Sequence, residues 1–336
     1  MSLGRAGGRR WTRVAVLGLL LVASGCNSNQ SVTNPATTPA SDIATLWWAM
    51  FAGAMVIFAL VLGLLVLAYV RRGRPGSGGD DRGPYRVILG GGLAAPIVVL
   101  SILFIFVIRV MPAVSAPPPG STKLTVDVIG HQWFWEVRYP GTAAVTANEI
   151  HIPARTPVNL VARTADVIHS FWVPRLNRKI DMIPGRTNRI ELDAPQTGVY
   201  PGQCSEFCGL EHADMGLEVV VQTPAAFRAW LADQARPARA PTTPQELQGR
   251  QVFLTASCAD CHTIRGTPAV GRAGPDLTHV GSRQTIAALT LPNTPSSLFD
   301  WITNPQLYKP GARMPGFASL PASTRRALVA YLESLT

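Results

Sequence analysis

Two long stretches without a charged residue limit what this chain can fold into. Residues 43–70 form an uncharged run of 28 and residues 87–108 another of 22. At about 1.5 Å per helical residue, either run crosses the roughly 30 Å hydrocarbon core of a bilayer. The second run contains Gly90, Gly91, Gly92 and Pro96, which weaken a helix in water. In a membrane, a neighbouring helix and close packing at glycine compensate. Hydrophobic residues make up 47% of the chain and charged residues only 15%, a low charge fraction for a wholly soluble protein. Between the runs, Arg71, Arg72, Arg74, Arg82 and Arg86 outnumber Asp80 and Asp81. By the positive-inside rule this loop is cytoplasmic, and the chain beyond Arg109 lies outside. Trp47 and Trp48 suit the outer interface, and the proline-rich stretch at 112–119 closes a hairpin assigned to residues 43–118.

Ahead of the hairpin, Arg5, Arg9, Arg10 and Arg13 precede an apolar run of ten residues at 14–23. That is the pattern of a signal peptide over residues 1–25, too short to span a bilayer. These arginines supply four units of the formal charge of +10. The remaining surplus is dispersed, which argues against nucleic-acid binding. Ala-Ser-Gly-Cys at 23–26 resembles a bacterial lipobox, which implies cleavage before Cys26 and lipid on its thiol. An ordinary signal peptide with an incidental cysteine is the alternative. Residues 26–42, rich in Ser, Thr, Asn and Pro, read as a flexible tether.

From Lys123 the hydrophobic period changes to two. Leu124, Val126 and Val128 alternate with Thr125 and Asp127, as in a half-buried strand. Further strands are expected at 132–138, 149–152, 157–163, 167–173, 187–192 and 217–222. Together they predict an all-β sandwich over residues 119–234. Near its end, within residues 198–216, Cys204, Cys208, His212 and Met215 follow at spacings of four, four and three. Two thiols, an imidazole and a thioether form a soft donor set suited to copper. Zinc and a Cys204–Cys208 disulfide remain open from the loop alone, although a thioether adds little for zinc. His169 lies mid-chain in Asp166-Val-Ile-His-Ser-Phe-Trp. Alone it reads as a core or surface histidine, but a sandwich can set a mid-chain strand end beside a late loop.

A Pro- and Ala-rich linker at 235–242 leads to Thr243-Pro-Gln-Glu246, a capping box with proline at the first helical position. A helix is expected from there to about residue 257. Cys258-Ala-Asp-Cys261-His262 follows, the C-x-x-C-H pattern of covalent c-type haem. No βαβ pattern surrounds it, as thioredoxin-like chemistry would need, and no cysteines remain to complete a zinc site. His262 is expected on the haem iron with Met314 opposite, Met314 being the only methionine after Met215; such ligation suits electron transfer. His279, in a glycine-flanked loop, is the rival. A final amphipathic helix is expected over 321–335, making residues 243–336 an all-α domain.

At this point the residues resemble a known family. Gly130-His-Gln-Trp-Phe-Trp135, Asp166-Val-Ile-His169-Ser, Ile183-Pro-Gly-Arg186 and Gly202-Gln-Cys-Ser-Glu-Phe-Cys-Gly209, followed by His212 and Met215, resemble subunit II of haem–copper cytochrome c oxidases. With the hairpin, the likeness covers about residues 43–223. Residues 243–336 resemble a class I cytochrome c at Gly249, Phe253, Cys258 to His262, Gly274-Pro-Asp-Leu277 and Trp301. A membrane hairpin, a cupredoxin-like Greek-key sandwich and a cytochrome c domain, in that order, are similar to subunit II of caa3-type oxidases. The resemblance implies a binuclear copper centre, CuA. Cys204 and Cys208 would bridge both coppers, and His169 and His212 would bind one each. Met215 and the Glu206 carbonyl would be weak ligands. It implies that Trp133 receives electrons, that Trp135 packs the core and that the Pro275 carbonyl orients His262. The Glu206 carboxylate would bind magnesium at the junction with subunit I. Implied partners are subunit I with its haem and CuB, subunit III, membrane lipid, and a cytochrome c or other respiratory donor. The implied setting is the bacterial cytoplasmic membrane, with copper and haem domains outside. Oxygen reduction and proton pumping belong to subunit I, so this chain has no catalytic residue of its own. The chain departs from many relatives in having no acid in the run 87–108. A CuA-containing nitric-oxide reductase subunit and a membrane-tethered electron carrier remain as alternatives.

Overall fold

The computed structural model describes residues 30–72, 82–118 and 120–336. The signal segment and Cys26 lie outside the described residues. Two units are distinguished, residues 38–115 and a second formed by the remaining described residues.

In the first unit, α1 spans Thr38–Arg71. The second apolar run forms α2 (Arg82–Val87), a π-helical stretch at Ile88–Ala94 and α3 (Ala95–Val110). The π-helical stretch has a local cause. Pro96 lacks an N–H and its ring crowds the carbonyl four residues back. The turn widens, and the Ala95 amide bonds to the Gly90 carbonyl five residues behind it. Apolar side chains such as Val56, Phe58, Leu100 and Phe104 stay exposed, as lipid-facing helices require. Both helices are long and apolar enough to span a membrane.

Residues 30–37, expected to be a flexible tether, belong to the second unit and are bonded to the stretch around Arg175. The Ala36 amide donates to the Arg175 carbonyl at 2.8 Å. Arg175 Nε donates to the Asn34 carbonyl at 2.8 Å. The short polar residues that suggest flexibility also supply groups able to bond a neighbouring backbone.

The sandwich has two five-stranded sheets. One contains β1 (Leu124–His131), β2 (Phe134–Arg138), β3 (Val145–Ala147), β5 (Val158–Thr164) and β8 (Asn188–Leu192), in the order β3-β2-β1-β5-β8. The other contains β4 (Glu149–Pro153), β6 (His169–Trp172), β7 (Ile180–Met182), β9 (Gly198–Cys204) and β10 (Gly216–Gln222), in the order β4-β10-β9-β6-β7. Strand alternation works as expected: Val126 and Val128 are fully buried with Trp135, Ile150, Leu160 and Val219. Three strands of the sandwich were not foreseen, β3, β7 and β9. The first two have only three residues each. β9 reads Gly-Val-Tyr-Pro-Gly-Gln-Cys, whose glycines and proline hide the period-two signal. It pairs with β10 along its length and with β6 at Phe171 and Trp172.

After the sandwich, Thr223 caps α4 (Pro224–Gln234), a helix not anticipated. The capping box at Thr243 and Glu246 is formed and opens α5 (Pro244–Thr255). Then follow α6 (Cys258–Cys261), α7 (Pro295–Thr303) and α8 (Ala322–Ser334). Phe253 and Tyr331 join α5 to α8 with ring centroids 6.2 Å apart. Ile264, Leu298, Ile302, Leu328 and Leu332 complete this second core.

Candidate copper and haem sites

His169 opens β6 and Cys204 closes β9, and these strands are antiparallel neighbours. The loop from β9 to β10 then returns Cys208, His212 and Met215 to the same place, closed by the Cys204 amide on the Met215 carbonyl at 3.0 Å. The two thiol sulfurs lie 3.7 Å apart. His169 Nδ1 is 3.9 Å from Cys204 Sγ, and His212 Nδ1 is 3.7 Å from Cys208 Sγ. The Glu206 carbonyl lies 3.2 Å from Cys204 Sγ, and Met215 Sδ lies 3.7 Å from Cys208 Sγ. All six expected copper ligands therefore converge. The sulfur separation is far from a disulfide bond of about 2.05 Å, and both cysteines are free. Each thiol has its own imidazole and its own weaker donor. This doubled soft set fits two copper ions better than one tetrahedral zinc.

The donors are held from behind. His169 Nε2 lies 2.9 Å from Asp166 Oδ1, and the Gln132 amide donates to Asp166 Oδ2 at 2.7 Å. Burial would raise the Asp166 pKa, but hydrogen bonds from His169, Gln132 and Val167 hold it below the usual value. That carboxylate fixes the ring and leaves Nδ1 free for a metal. Hydrogen bonding to Cys208 and His169, against the effect of burial, brings the Cys204 thiol well below its usual value. Cys208 is pushed up, first by its bond to Cys204 and then by burial. A second thiolate beside the first forms only when a cation compensates, so metal binding releases that proton. Trp135 is fully buried, and its indole N–H donates to the Met215 carbonyl at 3.3 Å. Trp133 is half-buried, and its indole N–H donates to the Cys208 carbonyl at 3.1 Å. Glu206 is half-buried beside the exposed Phe207.

In the helical domain, one helical turn carries the free thiols Cys258 and Cys261. His262 Nδ1 donates to the Pro275 carbonyl at 2.8 Å. Burial lowers the pKa of His262, which keeps it in the neutral form that binds iron. A Cβ at Gly274 would lie 2.5 Å from His262 Cε1, so only glycine fits there. Cys258, Leu277, Trp301, Met314 and Phe317 are apolar yet only partly buried against the core. Free paired thiols, a neutral oriented imidazole and a set of incompletely covered apolar groups fit a covalent haem. The rival His279 is turned elsewhere, with Nε2 3.0 Å from the Arg236 carbonyl.

The segment carrying Met314 meets the sandwich. Lys309 Nζ donates to the Asp214 and Trp133 carbonyls at 2.7 and 3.2 Å. The Gly311 amide donates to Glu211 Oε1 at 2.7 Å, and Arg313 Nη2 donates to Gln132 Oε1 at 2.5 Å. Sequence reasoning did not foresee Asp166 as an orienting group, nor the contacts of Gln132, Glu211, Lys309 and Arg313. An acid three residues before His169 was a usable signal, whereas a single lysine in a Pro-Gly-rich segment gave none.

A curated relative, cytochrome c oxidase subunit 2 of Alkalihalophilus pseudofirmus, is 33% identical over 332 residues, covering 94% of each chain. The chain belongs to the cytochrome c oxidase subunit 2 family. A second relative of the same name, from Bacillus sp. strain PS3, is 31% identical over 260 residues, 71% of this chain and 72% of the relative. Residues 141–223 match the family described as cytochrome C oxidase subunit II, periplasmic domain, and residues 247–336 match cytochrome c. A crystal structure of the periplasmic domain of subunit II of cytochrome oxidase of Bradyrhizobium japonicum is 32% identical. It covers 35% of this chain and 96% of that one, with a TM-score of 0.34. Membership of this family makes the chain a subunit of cytochrome c oxidase with a role in electron transfer, and its two long apolar helices suit a membrane anchor. Its two matched domains imply CuA and haem c.

Proposed function

We propose that this subunit 2 is the electron-input subunit of a caa3-type oxidase in a bacterial cytoplasmic membrane. The division proposed is a signal peptide at 1–25 with lipid on Cys26, a connecting segment at 26–42 whose Asn34 and Ala36 are bonded to Arg175, and a hairpin at 43–118. The CuA domain follows at 119–234, then a linker at 235–242 and the cytochrome c domain at 243–336. Cys258 and Cys261 would hold haem c covalently, and His262 and Met314 would bind its iron. His169, Cys204, Cys208, His212, Met215 and the Glu206 carbonyl would hold CuA. When bound, both groups supply reversible one-electron chemistry.

The residues of the chain supply the rest. Pro275 aims His262, Asp166 aims His169, and the packed Trp135 keeps the copper loop from relaxing, so little rearrangement accompanies electron transfer. Trp133 carries the reading. Its indole N–H bonds to the Cys208 carbonyl, and its own carbonyl receives Lys309 from the cytochrome c domain. One residue thus touches both redox domains. Electrons would come from a cytochrome c or other respiratory donor, cross by Trp133, and leave for the haem of subunit I. There oxygen would be reduced to water with proton pumping. The Glu206 carboxylate would bind magnesium at that junction, and subunit III would complete the complex. Fusing donor to acceptor raises their effective concentration without demanding a tight interface.

The test is purification of the intact complex, with optical and EPR spectra and gas uptake. A haem c band, a mixed-valence copper signal and oxygen consumption are expected. Nitric-oxide consumption without oxygen uptake would contradict the oxidase reading, and a haem c band without the copper signal would contradict the copper assignment.

A further inference from the structure

Lys309 is only 3% exposed, a rare place for an ammonium group. Its Nζ reaches the carbonyls of Asp214 and Trp133 in the sandwich, with Ala287 O as a third acceptor at 3.4 Å. Three donors therefore meet three carbonyl oxygens, filling the hydrogen-bonding capacity of the group. Burial lowers its pKa to about 8, which leaves it protonated at neutral pH. The buried carboxylate of Glu211 lies near enough to favour the charge, while its Oε1 takes the Gly311 amide.

The backbone is shaped to permit this contact. A Cβ at Gly311 would lie 2.8 Å from Leu210 Cβ and 3.1 Å from Glu211 Oε1. Only glycine lets the segment come so close to the copper loop. Ala287, Ala288 and Leu289 have φ of 54, 58 and 69° in succession. A left-handed run without glycine is unfavourable and persists where surrounding contacts hold it. Here it presents the Ala287 carbonyl to Lys309 and the Ala288 carbonyl to the Gly216 amide, the latter at 3.2 Å.

The acceptors are specific. Trp133 is the proposed receiver of electrons, and Asp214 immediately precedes the copper ligand Met215. At the other end of the same segment, Arg313 precedes Met314 and bonds Gln132. We propose that Lys309 is the positioning residue for electron transfer within the chain, fixing the Met314-bearing segment of the cytochrome c domain on Trp133. This role rests on the electron path proposed above. With both groups bound, the step would move one electron and no proton, from the haem that Cys258, Cys261, His262 and Met314 would hold to the copper that Cys204 and Cys208 would hold.

The test uses the purified full complex with Lys309→Met and Lys309→Arg. Two quantities are read: the rate of copper reduction by haem c after flash-induced injection of one electron, and hydrogen exchange at the Gly216 and Gly311 amides. Because a charged clamp shifts the docked fraction, Lys309→Met is expected to slow transfer by about ten-fold or more, with haem and copper spectra unchanged. Both amides should exchange faster, and Lys309→Arg should recover part of both effects. Wild-type rate and protection in Lys309→Met would overturn the proposal. If that variant does not accumulate, Lys309→Arg decides: intermediate values support the role, and wild-type values in both readouts overturn it. A wild-type complex whose haem c never reduces copper overturns the electron path and this role with it. Intact protection of both amides would then show that docking itself was not at fault.

Discussion

The copper site and the haem site are built to different degrees by the polypeptide alone. In the sandwich, six donors from two separate stretches already converge, with Asp166 and Trp135 behind them. In the helical domain only the His262 side is comparably fixed, by the Pro275 carbonyl. The Met314 segment is instead held from outside, by contacts of Lys309, Gly311 and Arg313 with the sandwich. A two-sheet core can pre-set a metal site by its strand registers. A small helical domain leaves apolar side chains half-covered and relies on its covalent group and its neighbour to finish the core.

The contrast can be broken most sharply at the copper bridge. Cys208→Ser should abolish the mixed-valence copper signal and leave haem c attached; EPR and a haem stain on the purified chain check both. Loss of haem c in that variant would deny that the two sites form separately. The reverse experiment is Cys258→Ser with Cys261→Ser. Without covalent haem, the side chains around Met314 lose their cover. Each fully buried large apolar group is worth about 1.5–3 kcal/mol, so the helical domain should lose its separate calorimetric transition while copper binding persists. Next comes Asp166→Asn, which removes the carboxylate behind His169. Copper affinity should fall about 10- to 100-fold, measured by competition with a chelator, with no change in the haem spectrum.

The smallest effect concerns the seam between the domains. Glu218 on β10 pairs with Glu149 on β4, and the Gln284 amide donates to Glu149 Oε1. Burial, then repulsion from Glu149, raises the Glu218 pKa from 4.5 to about 7. Between those values the native state holds a proton that the unfolded chain has released. The stability contributed by that proton is present below pH 4.5 and is lost as pH rises through 7. Glu218→Gln should flatten this dependence and stabilise the protein at pH 8 by about 1 kcal/mol, after allowing for solvent screening. Thermal unfolding at pH 5 and pH 8 tests it; an unchanged difference between the two pH values would contradict it.

Where chemistry demanded particular residue types at fixed spacing, the sequence was readable. The copper loop, the C-x-x-C-H turn, the capping box at Thr243 and the uncharged helices all follow from local patterns. His169 was readable only in context, from the sandwich that can set a mid-chain strand end beside a late loop and then from the family resemblance, because nothing in a lone histidine says which strand end lies beside it. β9 was hidden because Pro201 and its glycines carry turn chemistry while its pairing is set by β10 and β6. The left-handed run at 287–289 contains no glycine and so leaves no trace in the sequence. Lys309 was invisible for a related reason. Its meaning comes from carbonyls 95 and 176 residues away, and any exposed lysine has the same letter.

The relay order is tested most directly by time-resolved absorption of the intact complex after injection of one electron at its outer face. The haem c band should appear first and decay at the rate at which the copper band bleaches, and Trp133→Phe should slow that second phase. Copper reduced while haem c stays oxidised, or a haem c band that persists while oxygen is consumed, would contradict a relay from the tethered haem through Trp133 to the copper loop.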